Sequence, residues 1–176
     1  MSPLSPRSFE PDDLVHLQQW LNREEIYKNL YVLYHPMTHE ELLSWYHKEL
    51  SSGARVFMYH ADHNKQPAGL GMIHYIHPKN RCGELSIIVG PEETNKGFGT
   101  RILLHLMDFA FGVLNLHKIF FHTASYNEQM LSIVTRMEFV KEATYRQELF
   151  WRGTYHDIYR FGMLAEEYFI QQQQQT

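Results

Sequence analysis

The stretch Val89-Gly90-Pro91-Glu92-Glu93-Thr94-Asn95-Lys96-Gly97-Phe98-Gly99-Thr100 connects two strongly patterned segments of the chain. Residues 83–89, which precede the turn, have the apolar pattern of a strand. Residues 98–114, which begin as the turn ends, have the clearest helical period, with one apolar side formed by Ile102, Leu103, Leu106, Ala110 and Val113. Such a turn exposes unpaired backbone N–H groups at the positive end of a helix dipole, so it predicts a seat for phosphate oxygens.

Two common phosphate-binding loops do not fit this turn. A Walker A loop beginning at Gly90 requires glycine where Asn95 stands and serine or threonine where Gly97 stands. A dinucleotide-binding loop beginning at Gly97 requires glycine or alanine where Ile102 stands. The turn therefore indicates a different kind of phosphate site.

Periodicity and turn residues predict an order of elements on both sides of this turn. A helix covers residues 11–22, and a second helix begins after the capping box of Thr38 and Glu41. Residues 55–62, 68–77 and 83–89 form an antiparallel meander, ahead of the helix 98–114. A buried strand at 119–124, a helix at 127–137 and a hairpin of 145–151 with 154–163 complete the order.

Length and composition restrict the class of protein. The chain has 176 residues, of which 44% are hydrophobic, so we expect one domain over residues 1–170 and a disordered glutamine-rich tail over 171–176. A formal charge of -4 argues against nucleic acid as a partner. The chain has a lone cysteine, Cys82, no apolar run long enough to cross a bilayer and no secretory signal. These three features predict a soluble, cytoplasmic protein without membrane association.

The segment Gly97-Phe98-Gly99-Thr100, after a strand that begins with Glu84, resembles the pyrophosphate loop of the GNAT acetyltransferase superfamily, Arg/Gln-x-x-Gly-x-Gly/Ala. The resemblance extends from Arg7 to Leu164 and is closest to the branch of ribosomal-protein N-terminal acetyltransferases, through residues 127–139 and 153–157. Four positions depart from the pattern: Thr94, Asn95, Met130 and Glu138. The resemblance implies an α/β (α+β) fold, with a mixed, twisted central sheet of about six or seven strands and flanking helices.

The resemblance also implies acetyl-CoA as the acetyl donor. In that family the pantetheine arm pairs with the strand before the loop, here through the backbone of Ile88 and Val89. The residues that would hold the pyrophosphate are Thr94, Asn95, Lys96, Gly97, Phe98, Gly99 and Thr100. Asn127 could bond to the pantetheine arm and could also cap the following helix, and the two roles are compatible.

Acetyl transfer to an amine requires a base, because amines are protonated at neutral pH. Glu84 is the leading candidate for the base, directly or through water, and a backbone N–H near Val89 is the candidate oxyanion donor. Many relatives carry, near position 135, a tyrosine that protonates the leaving thiolate, whereas this chain has threonine there. Tyr126 is the substitute candidate for the acid, although it could equally pack at the rim of the site, and the thiolate could leave unaided. Cys82 lacks a feature that would lower its thiol pKa, so we expect direct transfer rather than an acetyl-cysteine intermediate.

The acceptor is expected to be a primary amine, either a protein N-terminus or a small amine such as an amino sugar or polyamine. Tyr31 and Tyr34 belong to an aromatic cluster that could form the acceptor wall or belong to the core. His74 and His122 lie on predicted central strands and could line the acceptor pocket, assist Glu84 or be core residues. We expect no metal site, because the histidines lack ligand spacing. A monomer or homodimer is expected, and the alternative function is an acyl-CoA-binding module that has lost catalysis.

Overall fold

A computed structural model of the chain describes residues 4–31, 35–61 and 66–174, and its centre is a single seven-stranded sheet. The strands are β1 Leu4–Ser8, β2 Arg55–Ala61, β3 Pro67–His77, β4 Cys82–Val89, β5 Lys118–Ala124, β6 Val140–Trp151 and β7 Thr154–Leu164. Their order in the sheet is β1-β2-β3-β4-β5-β7-β6, and among these pairs only that of β4 and β5 is parallel. The predicted mixed sheet, meander and C-terminal hairpin are therefore confirmed.

The strand β1 was not predicted from the sequence. Its five residues, Leu-Ser-Pro-Arg-Ser, contain a proline and show no apolar alternation. A proline is tolerated at the edge of a sheet, where its missing N–H costs no ladder bond. β1 lies at this edge and pairs with β2 alone, so pairing rather than local propensity determines its conformation.

Among the described residues six helices accompany the sheet, and the chain between Pro11 and Asp13 adds a 3-10 turn before the first of them. The helices are α1 Leu14–Leu21, α2 Glu24–Tyr27, α3 His39–Ser51, α4 Phe98–Asp108, α5 Glu128–Arg136 and α6 Ala165–Gln174. The capping box predicted before α3 is present: the Glu41 N–H donates to Thr38 Oγ1 at 3.3 Å, and the Thr38 N–H donates to Glu41 Oε2 at 2.8 Å. Within the described ranges, no helix has the length and apolarity to span a membrane.

Two helices differ from the expectation at their C-terminal ends. The predicted helix 98–114 is α4 followed by a π-helical turn, Phe109–Val113. The predicted disordered tail is instead helical through Gln174, because α6 continues past residue 170. Tyr168 anchors α6 in the core against Phe111, with ring centroids 5.1 Å apart, and glutamine is a good helix former, so the anchored helix continues.

The sheet is covered on both faces. On one face α4 contributes the fully buried Ile102, Leu103 and Leu106, and on the other α1 contributes Leu14, Leu17 and Leu21. Glycine permits the close approach of α4, because a Cβ at Gly69 would lie 2.6 Å from Ile102 Cδ1 and 2.7 Å from the Ile88 carbonyl oxygen. The two cores fix β4 and β5 in the middle of the molecule.

The parallel pair of β4 and β5 separates part of the way along its length. Only three register pairs join these strands: Cys82 with Lys118, Gly83 with Ile119, and Glu84 with Phe120. β4 nevertheless continues to Val89, still paired with β3 on its other side, and β5 continues to Ala124. The gap between the two strands beyond Glu84 and Phe120 is called the fork below. It leaves the β5-facing edge of Ile88 and Val89 without a strand partner.

Candidate active site

The glycine turn, residues 90–100, lies at the open end of the fork. Asn95 and Gly97 adopt left-handed backbone conformations, with φ of 62° and 78°. Gly97 is the N-cap of α4, and the first intrahelical bond runs from the Arg101 N–H to its carbonyl at 3.3 Å. The N–H groups of Phe98, Gly99 and Thr100 precede that bond and have no partner inside the helix. A Cβ built on Gly97 meets no atom within 4 Å, so the space beside this N-cap residue is open.

The side chains of the turn hold its shape. Thr94 Oγ1 donates to the Gly90 carbonyl at 3.5 Å, and Asn95 Oδ1 accepts from Gln129 Nε2 at 3.2 Å. Lys96 Nζ lies 3.4 Å from a carboxylate oxygen of the buried Glu93. Phe98 is buried, and Arg101 stacks over its ring at 4.9 Å. These contacts make the turn a preformed arrangement in which backbone donors, rather than side chains, face the open space.

Glu84 and His122 meet at the closed end of the fork. His122 Nδ1 lies 2.8 Å from Glu84 Oε1, and the two side chains are 14% and 16% exposed. Both residues were candidates from the sequence, but 38 residues separate them, so only the fold brings them together. An ionised carboxylate can only accept a hydrogen bond, so the Nδ1–H of His122 donates to Glu84, and in the neutral form of the ring Nε2 is the nitrogen that can accept a proton.

Aromatic and acidic side chains surround His122. The Tyr31 ring lies 6.2 Å from the imidazole, and the Tyr145 ring lies 5.5 Å from it on another side. The Tyr31 hydroxyl donates to Glu148 Oε1 at 3.0 Å. Burial, then this hydrogen bond, raise the pKa of Tyr31 above its ordinary value, so the phenol stays protonated. The predicted role of Tyr34 lies outside the described residues.

Tyr145 and Glu148 were not predicted from the sequence as residues of the site. Both belong to β6, which is irregular here: its register with β7 shifts between Tyr145 and Leu149, and Gln147 has a φ of 54°. The period-two rule fails at such a bulge, so alternation along the strand could not assign these side chains to one face. The available signal was only that the hairpin follows the elements that carry Glu84 and His122.

Cationic side chains flank the pair on the side of β7. Arg160, the register partner of His122, stacks over the Phe120 ring at 3.8 Å. Its Nε lies 3.3 Å from Glu142 Oε2, and Lys118 pairs with the other oxygen of the same carboxylate. Glu142 therefore compensates one of these two positive charges, and the carboxylates of Glu84 and Glu148 lie closer to the His122 side of the site.

His74, for which the sequence left open the acceptor pocket, assistance to Glu84 and the core, is a buried side chain. It is 7% exposed, and its Nε2 lies 2.9 Å from Ser86 Oγ. Burial, opposed by the Glu84 charge, lowers the pKa of His74, so the imidazole is held neutral. The register pairs His74 with Glu84 across β3 and β4. His74 therefore lies next to Glu84 in the sheet, on the side of Glu84 that faces away from β5 and His122.

Tyr126 and Asn127 occupy the turn between β5 and α5. The Tyr126 hydroxyl donates to the backbone carbonyl of Lys28 in a short hydrogen bond, and burial raises the pKa of its phenol. Asn127 Oδ1 accepts from the Met130 N–H at 3.2 Å, which makes it the N-cap of α5. Thr135, at the position of the usual acid, donates to the Leu131 carbonyl at 2.9 Å. The structure thus gives Tyr126 a structural bond and Asn127 the capping role.

Metal-binding residues are dispersed over the molecule. In residues 4–31, 35–61 and 66–174, no three histidine, cysteine, aspartate or glutamate side chains are close enough together to hold an ion.

Comparison with known proteins agrees with this geometry. The Acetyltransferase (GNAT) domain family matches residues 4–140. A spermidine N(1)-acetyltransferase of Vibrio cholerae is 30% identical over 168 residues, which cover 95% of this chain and 96% of the relative. A Bacillus subtilis protein provisionally named a ribosomal N-acetyltransferase is also 30% identical, but over 118 residues and 62% of this chain. The ribosomal branch is thus represented among the relatives, over a shorter segment.

Solved structures show the same relationship. A spermidine N-acetyltransferase from Vibrio cholerae, in complex with CoA and spermine, superposes with a TM-score of 0.87 and 29% identity, covering 94% of this chain and 98% of that one. A second structure of the Vibrio cholerae enzyme, with a TM-score of 0.79 and 30% identity, is dodecameric and covers 94% of this chain and 95% of that one.

The residues present fit acetyl-CoA. The open space before Gly97 and the first-turn donors of α4 suit a diphosphate, and the unpaired edge of β4 suits an extended amide-containing arm. A histidine–carboxylate pair lies at the point where the two strands separate. The chain belongs to the GNAT acetyltransferase family and is an acetyl-CoA-dependent N-acetyltransferase.

Proposed function

We propose that the chain acetylates a primary amine of a polyamine, with His122 as the base and Glu84 as the carboxylate that orients it. The observation that carries this proposal is the 2.8 Å contact between His122 Nδ1 and Glu84 Oε1 at the closed end of the fork. The polyamine is supported by the acidic and aromatic surroundings of His122 and by the similarity to spermidine acetyltransferases.

The acceptor nitrogen must lose protons before and during attack. A protonated amine has no lone pair, so a group near neutral pKa must take its proton. In its neutral form His122 would take the proton on Nε2, and Glu84 would stabilise the imidazolium that forms, as a carboxylate does in other histidine-based catalytic sites. From the sequence we expected Glu84 itself to be the base. We assign that role to His122 instead, because Glu84 already accepts the hydrogen bond from the Nδ1–H of His122.

The fork and the glycine turn would hold the acetyl donor. When bound, acetyl-CoA supplies a thioester whose carbonyl carbon is open to attack by a neutral amine. The backbone edge of Ile88 and Val89 would bind the pantetheine arm, and the N–H groups of Phe98, Gly99 and Thr100 would bind the diphosphate. A backbone N–H near Val89 remains the proposed oxyanion donor.

Tyr126 is proposed as a positioning residue rather than as the acid. Its hydroxyl proton is engaged by the Lys28 carbonyl, and this bond joins the end of α2 to the turn after β5. Tyr27, in α2, also packs against Trp151 at the tip of the hairpin, with centroids 5.9 Å apart. These contacts hold the segment that carries Tyr31 against β6. The proposal assigns no dedicated acid to the departing thiolate.

The acceptor side of the site matches a substrate with more than one positive charge. Tyr31 and Tyr145 offer aromatic faces, and Glu148 adds a carboxylate beside Tyr31. Aromatic faces and carboxylates attract ammonium groups through charge–quadrupole and ionic interactions. One ammonium of a polyamine would lie at His122 and another near Glu148. An amino sugar or a peptide N-terminus carries no second charge at a fixed distance.

The base assignment is tested by measuring the release of free coenzyme A with acetyl-CoA and spermidine. We expect His122→Gln to lower kcat by about 100-fold or more, and Glu84→Gln to lower it by a comparable factor, with acetyl-CoA affinity nearly unchanged. Glu128→Gln, which removes a carboxylate from the exposed first turn of α5, is the charge-matched control. Wild-type turnover in His122→Gln would refute the assignment.

The acceptor class is tested with the same assay on spermidine, propylamine, glucosamine and a peptide with a free N-terminus. We expect spermidine to have the highest kcat/KM. Glu148→Gln should raise the KM for spermidine by about 10-fold and leave the KM for propylamine within about two-fold, because only the polyamine uses the second carboxylate. A peptide with a higher kcat/KM than spermidine would refute the polyamine and favour a protein N-terminus.

We also propose that the chain assembles beyond a dimer, in place of the monomer or homodimer that we expected. The dodecameric relative supports this assembly. So do exposed apolar side chains on the C-terminal hairpin, including Phe150, which is 56% exposed, and Tyr155, which is 61% exposed. Light scattering coupled to gel filtration would measure the mass. A cytoplasmic location remains part of the proposal.

A further inference from the structure

A second histidine and a second carboxylate lie behind the Glu84–His122 pair and are not used by the proposed reaction. Glu49 reaches inward from α3 and is 12% exposed at its side chain. One of its oxygens, Oε2, lies 3.9 Å from Nδ1 of the buried His74. That nitrogen has no hydrogen-bond partner, whereas Nε2 of the same ring is engaged by Ser86.

A carboxylate in this position costs stability, because burial penalises its charge and, in the described part of the chain, no lysine or arginine forms an ion pair with it. Burial, together with repulsion from Glu84 and against the opposing effect of Lys48, raises the pKa of Glu49. His74 is itself neutral, since burial lowers its pKa. A buried carboxylate facing a neutral imidazole is an arrangement typical of functional sites rather than of structural ion pairs.

The four groups form one row across the sheet. Glu49 on α3 faces His74 on β3, His74 is the register partner of Glu84 on β4, and Glu84 contacts His122 on β5. The other titratable or charged groups that face the row are Tyr75 beside His74, Lys48 beside Glu49, and Tyr31, Tyr145 and Arg160 around His122. None of them supplies a cation between Glu49 and Glu84 in the described part of the chain.

We propose that Glu49 is a positioning residue whose negative charge, held behind His74, raises the proton affinity of the Glu84–His122 pair. The inference rests on the proposed role of that pair as the base. A negative charge stabilises the protonated pair and so makes His122 a stronger base. His74 separates the two carboxylates and, being neutral, does not cancel the charge of Glu49. Groups coupled in this way titrate together, so the pH dependence of the reaction reflects all four groups of the row and not His122 alone.

The test is the pH dependence of kcat/KM, measured together with an NMR titration of the His122 ring in the full chain. We expect Glu49→Gln to lower the pKa of His122, and to shift the acid limb of the kcat/KM profile to lower pH, by about half a pH unit. One unit charge several ångströms away produces an effect of this size in a partly buried site. The KM for spermidine should change by less than about two-fold. Glu49→Asp, which retains the charge, should restore most of the shift.

Two controls separate the charge from other effects. Glu40→Gln removes an exposed carboxylate from the first turn of the same helix and should leave both measurements unchanged. His74→Gln disturbs the same packing but keeps the Glu49 charge, so the acid limb should stay within about 0.2 pH units of the wild type. If Glu49→Gln does not fold, the wild-type titration decides: His122 should show a second inflection where the Glu49 carboxyl carbon titrates.

An unmoved His122 titration in Glu49→Gln, or a single inflection in the wild type, would overturn the proposal. A tenfold rise in spermidine KM with an unmoved acid limb would also overturn it and make Glu49 an ammonium subsite. The NMR titration needs no turnover. Loss of the base assignment in the His122→Gln assay is therefore distinguishable from failure of the Glu49 inference.

Discussion

Replacement of Gly97 by alanine isolates the contribution of the glycine turn to acetyl-CoA binding. Gly97 has a φ of 78°, and a Cβ at this position would meet no atom within 4 Å. The substitution therefore introduces backbone strain without a steric clash. A left-handed backbone costs a residue with a Cβ about 1–2 kcal/mol, which corresponds to a fall in Tm of roughly 2–8 °C for a chain of this size.

Gly153→Ala is the matched control for this strain. Gly153 lies in the turn between β6 and β7, has a φ of 83°, and its Cβ would also meet nothing within 4 Å. The two variants should thus lose the same stability, and we expect their Tm values to agree within about 2 °C. Of the two residues, only Gly97 is the N-cap of α4 and so adjoins the first-turn N–H groups.

Calorimetric titration with coenzyme A should then separate the two variants. We expect Gly97→Ala to weaken binding at least about tenfold, or about 1.4 kcal/mol, because the methyl group keeps the diphosphate from the backbone donors. Gly153→Ala should bind as the wild type does. Equal, undiminished affinity in both variants would refute the assignment of the diphosphate to this turn. Equal losses in both would attribute the loss to destabilisation.

Three further predictions concern other parts of the molecule. Burial would raise the pKa of Asp13, but the hydrogen bonds from Arg7 and the Glu10 N–H outweigh it and hold that pKa below its ordinary value. The bonds therefore stabilise the fold while the carboxylate is ionised, and this stabilisation is lost as falling pH protonates it. Asp13→Asn should lower the free energy of unfolding by about 1–3 kcal/mol at pH 7, with a smaller difference below pH 4, measured by urea unfolding. Gly69→Ala places a Cβ 2.7 Å from the Ile88 carbonyl oxygen, so it should cost about 1–3 kcal/mol, and a Tm within 1 °C of wild type would contradict the packing described. Cys82→Ala should retain most of the activity, and mass spectrometry with acetyl-CoA alone should find no acetyl group on Cys82, since direct transfer needs no thiol intermediate.

The parts of the fold that local patterns specify could be predicted from the sequence. The capping box of Thr38, the apolar side of α4 and the turn before β7 each depend on neighbours a few residues away. β1 and the end of α6 could not be predicted, because pairing with β2 and the anchoring of Tyr168 are contacts between distant segments. Such contacts override weak local propensity.

The candidate site divides in the same way. Spacing and residue type identified the glycine turn and, separately, Glu84 and His122 as candidates. They could not show that β4 and β5 separate after Glu84, because the end of a parallel pairing has no local signature in either strand. Nor could they assign roles to Glu84 and His122, since those roles depend on which nitrogen of His122 the carboxylate meets.

The inward position of Glu49 could be predicted from the sequence, but its surroundings could not. It follows the buried Tyr46 by three residues, so helical spacing alone places it near the buried side of α3. Spacing could not say that a neutral histidine, and not a cation, would face it there. The sequence thus determined which residues have the chemistry to bind acetyl-CoA and move a proton. The tertiary structure decided which of them meet, because the free energy of a charge depends on the burial and partners that only packing supplies.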